Sequence, residues 1–229
     1  MNAHAGDRPP PYAAVVFDCD STLSAIEGID ELADAAARAE IEALTARAMA
    51  GEASLEDVYG ERLAIIRPRR DDVVGLAEAY VEHQLEGARE TVQALKRAGK
   101  AVAVISGGLL DAVQPFAESL GVSTDLVFAV GLEFDADGEY VDFERDSPLV
   151  RADGKPELTR ELTSRFGPLA MIGDGSTDLA CQATVARFIG FGGVVRRPNV
   201  EARAHHFVHE PDLRALLPLL LTESERARA

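Results

Sequence analysis

Two aspartates, Asp18 and Asp20, stand one residue apart in the stretch FDCDSTL, directly after an apolar run. Two more, Asp174 and Asp178, stand in GDGSTD, which also follows an apolar run. Carboxylates that crowd together need a cation or a shared proton, because like charges disfavour each other's ionised form. Ligand sets made only of oxygen favour hard cations, and Mg²⁺ suits them better than Ca²⁺ or zinc. The four aspartates therefore predict a magnesium site.

Two further segments are candidates for binding phosphate. Lys155 is one of only three lysines among the 23 basic residues, and it lies beside a loop that we expect at a strand end. Its compact ammonium group suits a point charge next to phosphate or carboxylates. Ser106, Gly107 and Gly108 form an SGG segment, expected at a helix start where backbone N–H groups can bind phosphate. Each segment alone also fits an ordinary turn, so the prediction depends on their combination.

Five short apolar runs predict β-strands, and amphipathic helical patterns lie between them. The runs cover residues 13–18, 101–106, 126–130, 169–174 and 186–191. This alternation predicts a Rossmann-like α/β core with a parallel sheet and right-handed crossovers. Because such sheets bind ligands beyond the carboxyl ends of their strands, we expect the candidate residues to converge there.

Residues 26–86 interrupt the alternation, since they show three amphipathic helical patterns and no strand pattern. Ser54 is placed to cap the second of these helices. We expect this segment to form a helical cap over the site. The remaining boundaries are residues 12–25 and 87–221 for the α/β catalytic core, and residues 1–11 and 222–229 for flexible tails. Residues 132–144, with Asp137 and Gly138 at their centre, predict a β-hairpin.

Composition limits the classes of partner. The chain of 229 residues carries a formal charge of −16, which argues against nucleic acid and anionic membranes as partners. No apolar run reaches the length of a membrane span, and the N-terminal residues lack the layout of a secretion signal. Cys19 and Cys181 have no metal-type spacing and are expected to be reduced thiols. We therefore expect a cytoplasmic protein, either a monomer or a homodimer.

Four motifs occur in a fixed order: FDCDST, ISGG, the lysine of GKPE, and MIGDGSTD. In these motifs the chain resembles the haloacid dehalogenase superfamily, in its phosphatase branch. SAIEGIDELAD, GERLAIIRP and RFIGFGGVV extend the resemblance to the phosphoserine phosphatases over residues 14–220. The resemblance implies Mg²⁺-dependent hydrolysis of O-phospho-L-serine to serine and phosphate, the last step of serine biosynthesis.

The resemblance also implies roles for the acidic cluster. Asp18 would be the nucleophile that forms an aspartyl-phosphate, and Asp20 would protonate the leaving oxygen and then activate water. Lys155 would neutralise the transferring phosphoryl group. Mg²⁺ would be held by Asp18, the backbone carbonyl of Asp20, and Asp174. Asp178 would orient the metal shell or Lys155.

Substrate choice is expected to depend on the cap. The resemblance implies that Glu27 faces the substrate ammonium group and that Arg62 faces its carboxylate, which an arginine can bind with two hydrogen bonds. The other substrate-binding positions that it implies are Met49, Ser106, Gly107, Gly108, Thr177 and Arg197.

Two departures from the family pattern keep other substrates open. Leu55 stands where phenylalanine is usual, and Ala50 replaces a glycine that is common beside the methionine. A phosphatase or phosphotransferase acting on another phosphorylated amine or hydroxy acid is therefore the alternative. A phospho-acceptor signalling module ranks lower, because it would lack both the helical cap and a second acid two residues after the acceptor.

Overall fold

A computed structural model describes residues 10–49 and 54–228, except for the side chains of residues 42, 45–49 and 55. Its strands are β1 (Ala14–Phe17), β2 (Ala101–Leu109), β3 (Val127–Val130), β4 (Leu132–Phe134), β5 (Tyr140–Phe143), β6 (Leu169–Gly173), β7 (Arg187–Phe191) and β8 (His206–Val208). Six of them form a parallel sheet in the order β3-β2-β1-β6-β7-β8. The predicted parallel α/β core is confirmed.

The helices are α1 (Gly28–Glu31), α2 (Ala35–Met49), α3 (Leu55–Ile66), α4 (Arg70–Glu82), α5 (Ala88–Arg97), α6 (Leu110–Leu120), α7 (Gly154–Phe166), α8 (Ser176–Ala180), α9 (Pro198–Arg203), α10 (Leu217–Leu220) and α11 (Glu223–Arg226). The first four follow β1, which confirms the helical insertion at this point. The first two of these, α1 and α2, are separate helices. Asp34 separates them, because its Oδ1 accepts hydrogen bonds from the backbone N–H groups of Ala36 and Ala37.

Ser54 caps α3 as predicted: its hydroxyl oxygen accepts a 3.0 Å hydrogen bond from the backbone N–H of Asp57. The expected hairpin is also present, since β4 and β5 pair antiparallel. Among the helices of the described residues, none combines the length and apolar character needed to cross a membrane.

The sheet places its apolar residues on both faces. Every residue of β1, β6 and β7 is buried, as expected for parallel strands covered by helices on either side. The chain leaves β1 towards β2 on one side, whereas β6 pairs with β1 on the other. The strand order therefore reverses at β1, and the carboxyl ends of β1 and β6 flank the crevice where open sheets of this kind bind ligands.

The C-terminal residues differ from the expected tail. Residues 223–226 form α11, whose Glu225 accepts a 2.8 Å hydrogen bond from Lys100 Nζ. Lys100 is buried and also donates to the backbone carbonyl of Tyr12 over 2.8 Å. The domain boundaries inferred from the sequence remain predictions.

Candidate active site

Asp18 and Asp174 lie side by side at the carboxyl end of the sheet. The backbone N–H of Asp18 donates to the carbonyl of Ile172 over 2.9 Å, which extends the pairing of β1 with β6 by one residue. Asp174 directly follows β6. Both carboxylates are buried, with 7% and 4% of the residue surface exposed. The register of β1 against β6 thus fixes the relative positions of the Asp18 and Asp174 carboxylates.

Lys155 joins this pair from the first turn of α7. Its Nζ lies 2.8 Å from Asp18 Oδ1 and 2.7 Å from Asp178 Oδ1. Asp178 lies fully buried on α8, where its Oδ2 accepts a 2.9 Å hydrogen bond from the backbone N–H of Gly175. Burial lowers the pKa of Lys155, but the two carboxylates outweigh burial and raise it overall. Lys155 is therefore protonated at neutral pH.

The three buried aspartates form a group suited to a divalent cation. Asp18, Asp174 and Asp178 each offer an oxygen, and these oxygens lie within 4.8 Å of one another. Burial, followed by the charge of Asp178, raises the pKa of Asp174 to about 6 and the pKa of Asp18 well above its usual value. An oxygen-only donor set with this mutual repulsion fits a hard cation, whose charge would lower both pKa values.

Asp20 has different surroundings from Asp18. Its Oδ1 accepts hydrogen bonds from the backbone N–H of Gly28 and from the hydroxyl of Tyr80, both at 2.7 Å. Its Oδ2 accepts a 3.1 Å hydrogen bond from the hydroxyl of Ser106. The Asp20 carboxylate lies outside the three-aspartate group, so the two acids of the DCD segment have separate partners.

The SGG segment forms the end of β2 and stands directly before α6, whose N-cap is Leu109, so it precedes the helix and is not part of its first turn. The pairing of β2 with β3 shifts register between Ile105 and Leu109, and Gly107 and Gly108 in this irregular stretch line the site, whereas Ser106 is fully buried beside Asp20. The hydroxyl of Ser106 accepts a 2.9 Å hydrogen bond from the backbone N–H of Gly108. A Cβ atom at Gly107 would meet nothing within 4 Å, so the backbone there faces open space.

A cavity of about 490 Å³ connects these strand ends to the helices that follow β1. Glu27, Arg62, Thr177 and Arg197 line it together with Asp18, Asp20 and Asp174, whereas Asp178 lies behind them and does not line it. Glu27 Oε1 accepts a 2.8 Å hydrogen bond from the hydroxyl of Ser21. Burial, aided by the charge of Asp20, raises the pKa of Glu27 to about 7.

Arg62 and Arg197 both contact acids. Arg62 donates a hydrogen bond through Nη2 to Asp30, a residue that the sequence analysis did not single out. The buried Nε of Arg62 has no hydrogen-bond partner among the described residues. Arg197 Nε lies 2.9 Å from Asp174 Oδ2, and its Nη2 lies 3.7 Å from Glu27 Oε1. Arg197 therefore bridges the acidic group and the cavity wall.

Sequence reasoning missed Tyr80 and Tyr59. Tyr80 lies on the apolar face of α4 and would be interpreted as a core residue from its spacing. Tyr59, on α3, lines the cavity, and its hydroxyl has no hydrogen-bond partner among the described residues. The side chains of Met49 and Leu55, as well as Ala50, lie outside the described residues. No signal in a single sequence distinguishes a tyrosine that only packs in the core from one whose hydroxyl reaches a carboxylate of the site.

Comparison with known proteins shows the family. Residues 15–182 match the haloacid dehalogenase-like hydrolases, and the chain belongs to this family. It is 39% identical to the phosphoserine phosphatase of Mus musculus, over 85% of this chain and 88% of that protein. A substrate-bound phosphoserine phosphatase structure superposes with a TM-score of 0.79 at 28% identity, covering 93% of this chain and 100% of the other. A phospho-aspartyl intermediate analogue of phosphoserine phosphatase gives a TM-score of 0.78 at 28% identity, with the same coverage.

Proposed function

We propose that this protein is a Mg²⁺-dependent phosphoserine phosphatase that works through an aspartyl-phosphate on Asp18. One observation carries the proposal: Lys155, Asp18 and Asp174 line a single cavity together with Glu27 and Arg62. The first set suits phosphoryl transfer, and the second suits an ammonium and a carboxylate group. The similarity to phosphoserine phosphatases over most of the chain supports the same assignment.

Each residue of the site has a separate role in the proposed reaction. Asp18 attacks phosphorus, while Lys155, held 2.8 Å from Asp18 Oδ1, neutralises charge on the transferring group. Asp20 gives a proton to the leaving oxygen and afterwards takes one from the attacking water. Ser106 and the Gly107 amide bind phosphate oxygens.

Asp18, Asp174 and the backbone carbonyl of Asp20 would hold Mg²⁺, with Asp178 orienting Lys155 through their 2.7 Å contact. When bound, Mg²⁺ supplies positive charge that shields the incoming phosphate from the nucleophile. Arg197 and Thr177 complete the phosphate side of the cavity.

The cytoplasmic location expected from the sequence remains a prediction.

Phosphate release from a panel of monoesters tests the substrate. We expect O-phospho-L-serine to give a higher kcat/KM than phosphoethanolamine, which lacks the carboxylate, or phosphoglycolate, which lacks the ammonium group. Arg62→Ala should raise KM for phosphoserine about tenfold or more, because a hydrogen-bonded charge pair is lost. Its effect on phosphoethanolamine should be much smaller.

Arg69→Ala is the matched control, since Arg69 pairs with Glu139 away from this cavity. It should leave the ranking of substrates unchanged. If phosphoserine ranks below the other monoesters in the wild-type protein, the alternative applies, and the natural substrate is another small phosphorylated metabolite.

A further inference from the structure

Tyr80 reaches the site from α4, and its hydroxyl donates to Asp20 Oδ1 over 2.7 Å. The side chain is fully buried. Its ring stacks on Phe116 of α6, with the ring centroids 5.5 Å apart and the ring planes 16° from parallel. Because packing fixes the ring, the hydroxyl has little freedom to turn away from the carboxylate.

Two glycines leave the space that this hydroxyl occupies. A Cβ atom at Gly28 would lie 2.0 Å from the Tyr80 hydroxyl oxygen, and one at Gly108 would lie 3.1 Å from it. Gly28 also donates its backbone N–H to Asp20 Oδ1. Any side chain at position 28 would therefore displace the tyrosine hydroxyl from Asp20.

The donors are unequally shared between the two oxygens of Asp20. Oδ1 accepts from Tyr80 and from Gly28, each at 2.7 Å, whereas Oδ2 accepts from Ser106 over the longer distance of 3.1 Å. A carboxylate oxygen has about two lone-pair sites, so both sites of Oδ1 are used. Oδ2 retains a site and is the oxygen that can exchange a proton with a substrate.

We propose that Tyr80 is a positioning residue that holds Asp20 by Oδ1 and keeps Oδ2 as the proton-transfer atom; this rests on the proposed function. In the first step, Oδ2 gives its proton to the leaving oxygen as the bond between that oxygen and phosphorus breaks and the bond from Asp18 to phosphorus forms. In the second, Oδ2 takes a proton from water as the water oxygen bonds to phosphorus and the bond from Asp18 breaks. Tyr80 keeps its own proton throughout.

Tyr80→Phe tests the proposal, because it keeps the stacked ring and removes only the hydroxyl. Single-turnover formation of the aspartyl-phosphate is compared for an alkyl phosphate, phosphoserine, and an aryl phosphate, 4-nitrophenyl phosphate. The alkyl leaving oxygen needs the proton from Asp20, whereas nitrophenolate leaves as a stable anion. We expect transfer from the alkyl phosphate to slow about tenfold, and transfer from the aryl phosphate and KM to change less than about twofold. The proposal would be overturned if Tyr80→Phe slowed phosphoryl transfer equally from both substrates, or slowed it from neither.

Two controls separate positioning from general damage to the fold. Tyr140→Phe removes the hydroxyl of another buried tyrosine, which does not line the cavity, and should leave the ratio of the two rates unchanged. In an Asp20→Asn background, Tyr80→Phe should have no further effect on either rate, because its hydroxyl acts through Asp20. An additive loss in the double variant would mean that Tyr80 is only structural.

The outcome for Tyr80 can be told apart from the outcome for the substrate. If wild-type protein fails on phosphoserine but hydrolyses another alkyl phosphate, the substrate proposal fails and the Tyr80 comparison is made with that alkyl phosphate. If the wild-type protein transfers phosphate from no alkyl monoester, both proposals fail.

Discussion

Lys155 is the residue on which the buried charges depend most directly. It pairs with both Asp18 and Asp178 inside the fold, where only 6% of its surface is exposed. Removing one partner of a buried ion pair leaves an uncompensated charge and destabilises a protein by about 3–5 kcal/mol. Loss of activity in a Lys155 variant would therefore have two causes that cannot be separated, loss of folded protein and loss of a group that acts on the phosphoryl transfer. Residues on the cavity wall allow cleaner tests.

Glu27 gives such a test through pH. Its ionised form would bind the substrate ammonium group, and burial raises its pKa from 4.5 towards about 7. Since 46% of its side-chain surface is exposed, water screens part of this shift, and we expect the inflection between these two values. As pH falls through that range Glu27 takes up a proton, so KM for phosphoserine should rise. Steady-state kinetics from pH 5 to 8 measure this.

Glu27→Gln is the matched control. The phosphate group of the substrate also titrates in this pH range, but its effect on KM is the same for the wild type and the variant, so the ratio of the two KM values reports Glu27 alone. We expect the variant to have a KM about tenfold above wild type at pH 8, and the two values to converge near pH 5. A KM ratio that stays constant with pH would exclude an ionised Glu27 from substrate binding.

At the scale of elements, the strand ends were predictable and the contacts across the cavity were not. Asp18 and Asp174 follow apolar runs that can only be central parallel strands, so their convergence follows from topology. Ser106 and the two glycines were expected at a helix start, whereas they form the end of β2 just before α6, where the pairing with β3 shifts register. β8, with three residues at the edge of the sheet, is too short to show a pattern.

The helical insertion was predictable as an amphipathic segment, but its contacts with the site were only partly so. Glu27 and Arg62 were found through resemblance. Asp30, which pairs with Arg62, and Tyr80, which holds Asp20, depend on how α1 and α4 pack against the core. Such contacts between distant segments leave no periodic signal in a sequence.

Gly154 shows how an element positions a functional group. It begins α7, one residue before Lys155, and a Cβ atom there would lie 1.7 Å from the backbone carbonyl oxygen of Pro148. Backbone cannot yield as a flexible side chain can, so Gly154→Ala should push the first turn of α7 away from Asp18. We expect kcat to fall at least about tenfold and stability to fall by about 1–3 kcal/mol. Phosphate release and thermal unfolding measure the two effects.

Gly75→Ala serves as the control within another helix. A Cβ atom at Gly75 would meet nothing within 4 Å, and alanine is favoured over glycine inside a helix by about 1 kcal/mol. This variant should be slightly more stable than wild type with unchanged kcat. If both glycine variants behave alike, close packing at Gly154 does not position Lys155.

At the scale of the whole molecule, the site differs from the surface around it. The chain has a formal charge of −16, which opposes the approach of an anionic substrate. The cavity, in contrast, is lined by equal numbers of acidic and basic side chains, namely Asp18, Asp20, Glu27 and Asp174 against Arg62, Arg151, Lys155 and Arg197. A divalent cation would make this balance positive, so a phosphorylated substrate meets a local field unlike that of the molecule as a whole.

The central claim is that Asp18 carries the phosphoryl group, and mass spectrometry of acid-quenched protein tests it most directly. Asp20→Asn protein mixed with 4-nitrophenyl phosphate and Mg²⁺ should accumulate phosphate on Asp18, because nitrophenolate leaves without a proton from residue 20 while hydrolysis of the intermediate is slowed. Asp18→Asn protein, or addition of a chelator, should give no label. Phosphate release without a phosphorylated Asp18, or a label on another residue, would contradict the account.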